Sequence, residues 1–171
     1  MVQVKQQGKQ NAYMTNLMIS LLLRFPEIMS LHFDMPQDEA KFTFLLKGKL
    51  EQEYNNFTVL LHDALAAFQD LTGKEFRVKA ALQRSGKISL LTLISGTSCL
   101  SLEGIQLLCG LVRSSFAAAL IRDAEATAVL QDDDLLQQEE MITYLLNHST
   151  GTNKDSLLAF REAGKVYIFD K

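Results

Sequence analysis

The chain has no tryptophan, two prolines, two cysteines and three histidines among 171 residues. Each shortage excludes something. The cysteines, Cys99 and Cys109, stand ten residues apart with no CxxC or Cys/His spacing around them, so neither a disulfide framework nor a zinc site is expected. They read as two small buried hydrophobes in a reducing cytoplasm. No G-x-G-x-x-G, G-x-S-x-G or G-x-x-x-x-G-K-[ST] occurs. Dinucleotide binding, a nucleophile elbow and a phosphate loop therefore have no motif to rest on, and no cofactor or metal is expected.

Long apolar runs are missing too. Residues 17–23 (LMISLLL) end at Arg24 and Pro26, far short of a span. Residues 88–112 carry the charge of Glu103 and many serines, threonines and glycines, which fits a buried strand feeding a buried helix better than a membrane segment. The first residues, MVQVKQQGKQ, are polar and lack the apolar centre of a signal peptide. With a net charge of −3 there is also no excess of positive charge, and a general nucleic-acid binder needs clustered cations. A cytoplasmic location with no membrane association is the expectation.

What is present is an ordinary globular composition, 47% apolar and 22% charged. At this length a chain buries roughly 70% of the surface its unfolded form exposes, so it needs no staple. We read a flexible tail over 1–10 and one domain over 11–171.

Hydrophobic spacing sets the order of elements. Leu17, Met18, Leu21, Leu22 and Phe25 predict a helix closed by Pro26. The period then drops to two over Leu31, Phe33 and Met35, turns at residues 36–39, and returns through Phe42, Phe44 and Leu46. Leu50, Tyr54, Phe57, Leu61, Ala64, Phe68 and Leu71 predict a long amphipathic helix stopped by Gly73. A second hairpin runs from Phe76 to Ile94, followed by a helix capped by Ser101 that reaches about Arg122. Residues 123–140 hold seven acids and no base, predicting a linker and then a helix starting near Asp133. Residues 157–170 form a last hairpin. The fold class is α+β, an antiparallel sheet built from hairpin-helix units with helices packed mainly on one face. Segments 28–71 and 76–121 share the hairpin-then-helix plan, as an internal duplication would.

One stretch recurs. ALQRSGKISLL at 81–91 aligns without a gap on AFREAGKVYIF at 159–169. A strand follows each Gly-Lys where a phosphate loop needs a helix, so the repeat marks two hairpin turns. With a turn at Ser85-Gly86, Leu82 pairs with Ser89 and Ala80 with Leu91. The strand after each turn is apolar on both faces: Leu90 and Ile94 oppose Leu91 and Leu93, and Val166 and Ile168 oppose Tyr167 and Phe169. Two-faced apolar strands need cover on both sides. Helices on both faces would supply it, as would helices on one and a second subunit on the other. The second solution predicts a homodimer, with Leu90, Ile94, Val166 and Ile168 as interface candidates.

Candidate chemistry is sparse. His32 and Asp34 lie two apart on the polar face of the first strand and could act as an acid–base pair or as two metal ligands, but no third ligand follows by spacing and surface residues of a strand are the commoner meaning. Asp132-Asp133-Asp134 lacks the alternating oxygens and glycine of a calcium loop and reads as a solvated cap. Arg77, Lys79, Arg84 and Lys87 are the basic cluster, with Arg77 and Lys79 placed to meet an anionic ligand. No aromatic is interleaved on their face, so RNA binding is the weaker expectation. The α-β-β-α-β-β-α order resembles that of the small dimeric chaperones of type III secretion, without their third strand before the central helix. Roadblock-type dimerisation domains have a comparable start. The functional expectation is a non-catalytic protein that oligomerises or binds a partner. A small-molecule binder or minor enzyme with a pocket between sheet and helices, using His32, Asp34 or the Arg77/Lys79 pair, is the alternative.

Overall fold

The computed structural model describes residues 12–122, 132–148 and 156–170. The tail expected at 1–10, the acidic linker from residue 123 and the loop expected from Ser149 lie outside those residues. So do the side chains of Asp132, Asp133 and Asp134, although their backbone begins a helix.

Among the described residues, four helices and a six-stranded antiparallel sheet follow in the expected order. They are α1 (Ala12–Arg24), β1 (Ser30–Asp34), β2 (Glu39–Lys47), α2 (Glu51–Thr72), β3 (Val78–Ser85) and β4 (Ile88–Ser95). After a short 3-10 turn at Thr97–Cys99 come α3 (Leu102–Phe116), α4 (Asp132–His148), β5 (Ser156–Glu162) and β6 (Lys165–Asp170). The strands lie side by side as β3-β4-β2-β1-β5-β6. The segments 28–71 and 76–121 thus meet through β2 and β4.

The four described helices gather on one side, where their apolar stripes form a single core with alternate residues of every strand. Leu17, Met18, Leu21 and Leu22 of α1 meet Leu31, Phe33, Phe42, Phe44, Leu91, Leu93, Leu157 and Ile168 of the sheet in that core. α2 ends as its glycine suggests: Gly73 has a left-handed φ of 69° and its N–H donates to the Gln69 carbonyl at 2.8 Å. Ser101 caps α3, its hydroxyl accepting from the Gly104 N–H at 3.1 Å. Gly104 is glycine for space, since a Cβ there would collide with the buried ring of Phe76.

Two expectations need correction. First, α3 stops at Phe116 rather than near Arg122, because the chain turns to pair with the free end of β2. Lys47 N–H donates to the Ala119 carbonyl at 2.8 Å and Ile121 N–H to the Leu45 carbonyl at 2.9 Å. Second, the repeat puts the hairpin turns at Ser85-Gly86 and Ala163-Gly164, and the first of them is displaced by one residue. Ser85 pairs with Ile88, so the loop is Gly86-Lys87, and Leu82 pairs with Leu91 and Ala80 with Leu93. In the last hairpin Glu162 pairs with Lys165, so the loop is Ala163-Gly164, both residues having positive φ (50° and 76°) as a type I′ turn requires.

The repeated glycine is therefore the first loop residue in one hairpin and the second in the other. Aligned positions consequently point to opposite faces. Ala159 is in the core while its counterpart Ala81 is exposed, and Val166 is in the core while Ile88 faces out. The two hairpins share sequence without sharing orientation.

Candidate functional site

The side of the sheet away from the helices is the molecule's distinctive surface. The burial patterns of β1 and β2 alternate strictly between buried and half-buried residues, as do those of β5 and most of β4. The half-buried set faces outward. None of its apolar members belongs to the core or packs against it among the described residues.

The strand register arranges this outer face in rows. One row runs Ala81, Thr92, Thr43, Ser30, Phe160, Tyr167 from edge to edge. The next runs Lys79, Ile94, Lys41, His32, Leu158, Phe169. Leu45 and Leu90 pair on the other flank of the first row. At the β5–β6 end three rings stack: Phe160 lies 5.3 Å from Tyr167 and 5.5 Å from Phe169, nearly parallel to the latter at 8°. Centroid separations of this size lie within the favoured range for aromatic pairs.

The interface candidates named from sequence are thus divided. Leu90 and Ile94 lie on the outer face. Val166 and Ile168 lie in the core beneath the helices, at 3% and 0% exposure. Their strand presents Tyr167 and Phe169 outward instead. Phe160, Leu158 and Leu45 belong to the same surface and were missed, although the consecutive apolar residues 157–160 make β5 another strand apolar on both sides.

His32 and Asp34 both face outward at one end of β1. His32 Nε2 lies 3.1 Å from Ser156 Oγ on β5, a contact that no local spacing foretells because 124 residues separate them. A hydroxyl beside an imidazole is the geometry of a nucleophile and its base. Asp34, however, is turned to its own hairpin, where its Oδ1 accepts from the Gln37 N–H at 3.3 Å. The pair sits on an open sheet surface and lines neither of the clefts described below.

The basic residues do not converge. Arg77 precedes β3 and pairs with Glu75, while Arg84 donates from Nε to the Gly86 carbonyl at 3.0 Å in the hairpin loop. Five residues of extended strand, about 17 Å, separate Lys79 from Arg84. Arg77 and Lys79 lie at one end of the edge strand, and Arg84 and Lys87 at the other.

Two open clefts of about 440 and 470 Å³ adjoin each other on the helical side, where the start of α3 meets α4. The larger is edged by Lys74, Glu75 and Glu103, all exposed. Among the described residues no three of His, Cys, Asp and Glu are grouped to hold a metal ion. Both cysteines are free thiols. Burial pushes the Cys109 thiol well above the usual range, and the neighbouring carboxylate of Glu27 pushes it further, so this sulfur is a packing group rather than a nucleophile. Glu27 itself is 1% exposed and is matched by Arg113 Nη1 at 3.3 Å.

One polar feature outside the sheet faces is a clamp. Asp38, in the β1–β2 turn with φ 48°, accepts from Thr97 Oγ1 at 2.5 Å, from Ser98 N–H at 3.0 Å and from Ser98 Oγ at 3.0 Å. The Thr97 hydroxyl, followed by the Ser98 N–H, holds this carboxyl below its ordinary pKa. A depressed folded-state pKa means stability that is present at neutral pH and lost as pH falls below the ordinary aspartate value of about 4. Asp38→Asn should lower the melting temperature at pH 7 by about 2 °C, the carboxylate being exposed and screened. The gap to wild type should close between pH 4 and pH 2, as thermal melts would show. A gap independent of pH would mean that the charge is not what the clamp uses.

Comparison with family models, with curated proteins and with solved structures finds no match for this chain. No helix among the described residues is long and apolar enough to cross a membrane.

Proposed function

We propose that this is a non-catalytic protein of the cytoplasm that works by oligomerising or binding a partner through the outer face of its sheet. One observation carries the reading: among the described residues, a six-stranded sheet bears its four helices on one side, while its other side displays Leu45, Leu90, Ile94, Leu158, Phe160, Tyr167 and Phe169 outside the core. Soluble monomers seldom leave so large an apolar surface uncovered. The three stacked rings are side chains of the kind that anchor interfaces, large and with few rotamers to immobilise. The two free thiols suit a reducing compartment.

The test is sedimentation of wild type and of Phe160→Asp. Wild type should associate at micromolar concentrations, and a carboxylate placed in the middle of the aromatic stack should give a folded monomer. Phe160 lies outside the core, so the variant should keep its circular dichroism and most of its stability. A wild type that is a clean monomer throughout the micromolar range would remove the main support for the reading.

A further inference from the structure

The outer face is graded in size along its central row. Ala81, Thr92, Thr43 and Ser30, on β3, β4, β2 and β1, are all small. The row then ends in Phe160 and Tyr167 on β5 and β6. Four strands cover three strand spacings, so the small residues leave a trough about 14 Å wide with a wall of stacked rings at one end. Such a surface is complementary to itself turned round.

We propose that the occupant of this face is a second copy of the chain, docked face to face about a two-fold axis running along the strands. Phe160 and Tyr167 of each copy then fill the trough over Thr92 and Ala81 of the other. The inference rests on the reading of the sheet face as an interaction surface.

That axis sets β6 over β3, β5 over β4 and β1 over β2, while each row stays opposite itself. Tyr167 then faces Ala81, Phe160 faces Thr92, and Ser30 faces Thr43, so every bulky residue of the row meets a small one in both directions. In the adjoining row Leu158 faces Ile94, and Phe169 faces Lys79, whose ammonium suits an aromatic ring. The other axis available to two stacked sheets runs across the strands. It would set rings on rings and trough on trough, leaving overlap at one end and a void at the other, and close-packed interfaces tolerate neither.

Size and charge agree with a second copy. Alternate residues of a strand share a face, so the six strands present roughly twenty side chains outward, and an ordinary interface uses about 20–30 a side. The charged residues on this face are Lys41, Lys47, Lys79 and Lys165 against Asp34, Glu39 and Glu162. Lys41 is already paired with Glu39 at 3.1 Å. The face is therefore close to neutral although the whole chain carries −3, and two copies do not repel across it. A strongly charged partner would find no matching field there.

Cross-linking of mixed single-cysteine variants tests the arrangement. In a Cys99→Ser background, with Cys109 buried, Ala81→Cys and Tyr167→Cys are mixed and treated with a short bis-maleimide. The mixture should cross-link to dimer and neither variant alone should, because each residue lies opposite the other and the two copies of Tyr167 are about 24 Å apart across the sheet. Gln83→Cys mixed with Lys165→Cys, a second facing pair that spares the rings, should behave alike even if Tyr167→Cys weakens the dimer. Cross-linking of Tyr167→Cys by itself would overturn the axis in favour of rings on rings or of edge-to-edge pairing through β6. A mixture of the second pair that sediments as dimer but does not cross-link would overturn it as well. If wild type sediments as a monomer, the underlying reading of the face fails with it.

Discussion

Replacing Arg161 by methionine is expected to destabilise the protein by about 2–5 kcal/mol, since each buried carbonyl left without a donor costs about 1–3 kcal/mol. Arg161 stands on β5 but points into the core side, 6% exposed. Its Nε donates to the Ile28 carbonyl at 2.7 Å, and Nη2 donates to the carbonyls of Leu22 and Phe25, the latter at 3.1 Å. The last carbonyls of a helix have no partner within it and carry its negative pole. A planar guanidinium with several donors satisfies them together, where Pro26 prevents the backbone from continuing. Methionine fills much of the volume but takes the donor from the Leu22 and Ile28 carbonyls, while Phe25 keeps the Ile28 N–H at 3.1 Å. Arg161→Lys should recover part of the loss, because an ammonium keeps the charge but not the reach to three carbonyls. Urea unfolding measures both; a loss under 1 kcal/mol for methionine would show that the network is not a structural keystone.

Phe57→Ala should cost a similar amount, about 3–5 kcal/mol, the usual price of emptying a buried phenylalanine site. The helix α2 spans 22 residues and buries two, Phe57 and Leu61. Phe57 is fully buried with its ring 5.3 Å from that of Phe116 on α3. Tyr54 adds a hydrogen bond from its hydroxyl to the Ala80 carbonyl at 3.0 Å. A helix this long with so few anchors depends on each of them, because propensity alone supports little of a helix's stability in water. The loss should appear locally as well as globally: amide exchange across 51–72 should rise far more than exchange in β1 and β2. Uniform loss of protection across the whole chain would show that α2 is no separate unit.

Neither substitution touches the outer face, and this separates stability from the proposed role. Phe160→Asp should leave folding nearly intact and abolish association, whereas Arg161→Met, at the adjacent residue, should do the reverse in proportion to its unfolding. Adjacent residues of one strand serve opposite sides of the sheet.

Much of the architecture was legible in the residues. The 3.6-residue spacing of Leu17, Met18, Leu21 and Leu22, the stop at Gly73 and the cap at Ser101 each report on their own few neighbours, and such signals survive without tertiary context. Period-two alternation marked β1 and β2, while the turn glycines and apolar runs marked the later hairpins and showed that the strands after the two glycine-lysine turns are apolar on both sides. Arg161 gave no comparable sign. In AFREAGK it looks like a solvated charge near a strand end, and its burial depends on α1 ending above it, more than a hundred residues earlier in the chain.

The local sequence thus determined which segments are helix and strand, where most of them stop, and that two strands have apolar residues on both faces. It could not decide which of those faces meets the helices. Ser85-Gly86-Lys87 and Glu162-Ala163-Gly164 each allow more than one turn register, and moving a turn by one residue can exchange every side chain between core and surface. Val166 and Ile168 went inward and Tyr167 and Phe169 outward because β5 must set Leu157 and Ala159 under α1, and β6 follows its partner's pleat. That choice is made by packing between distant segments, and it places the aromatic rings on the open side.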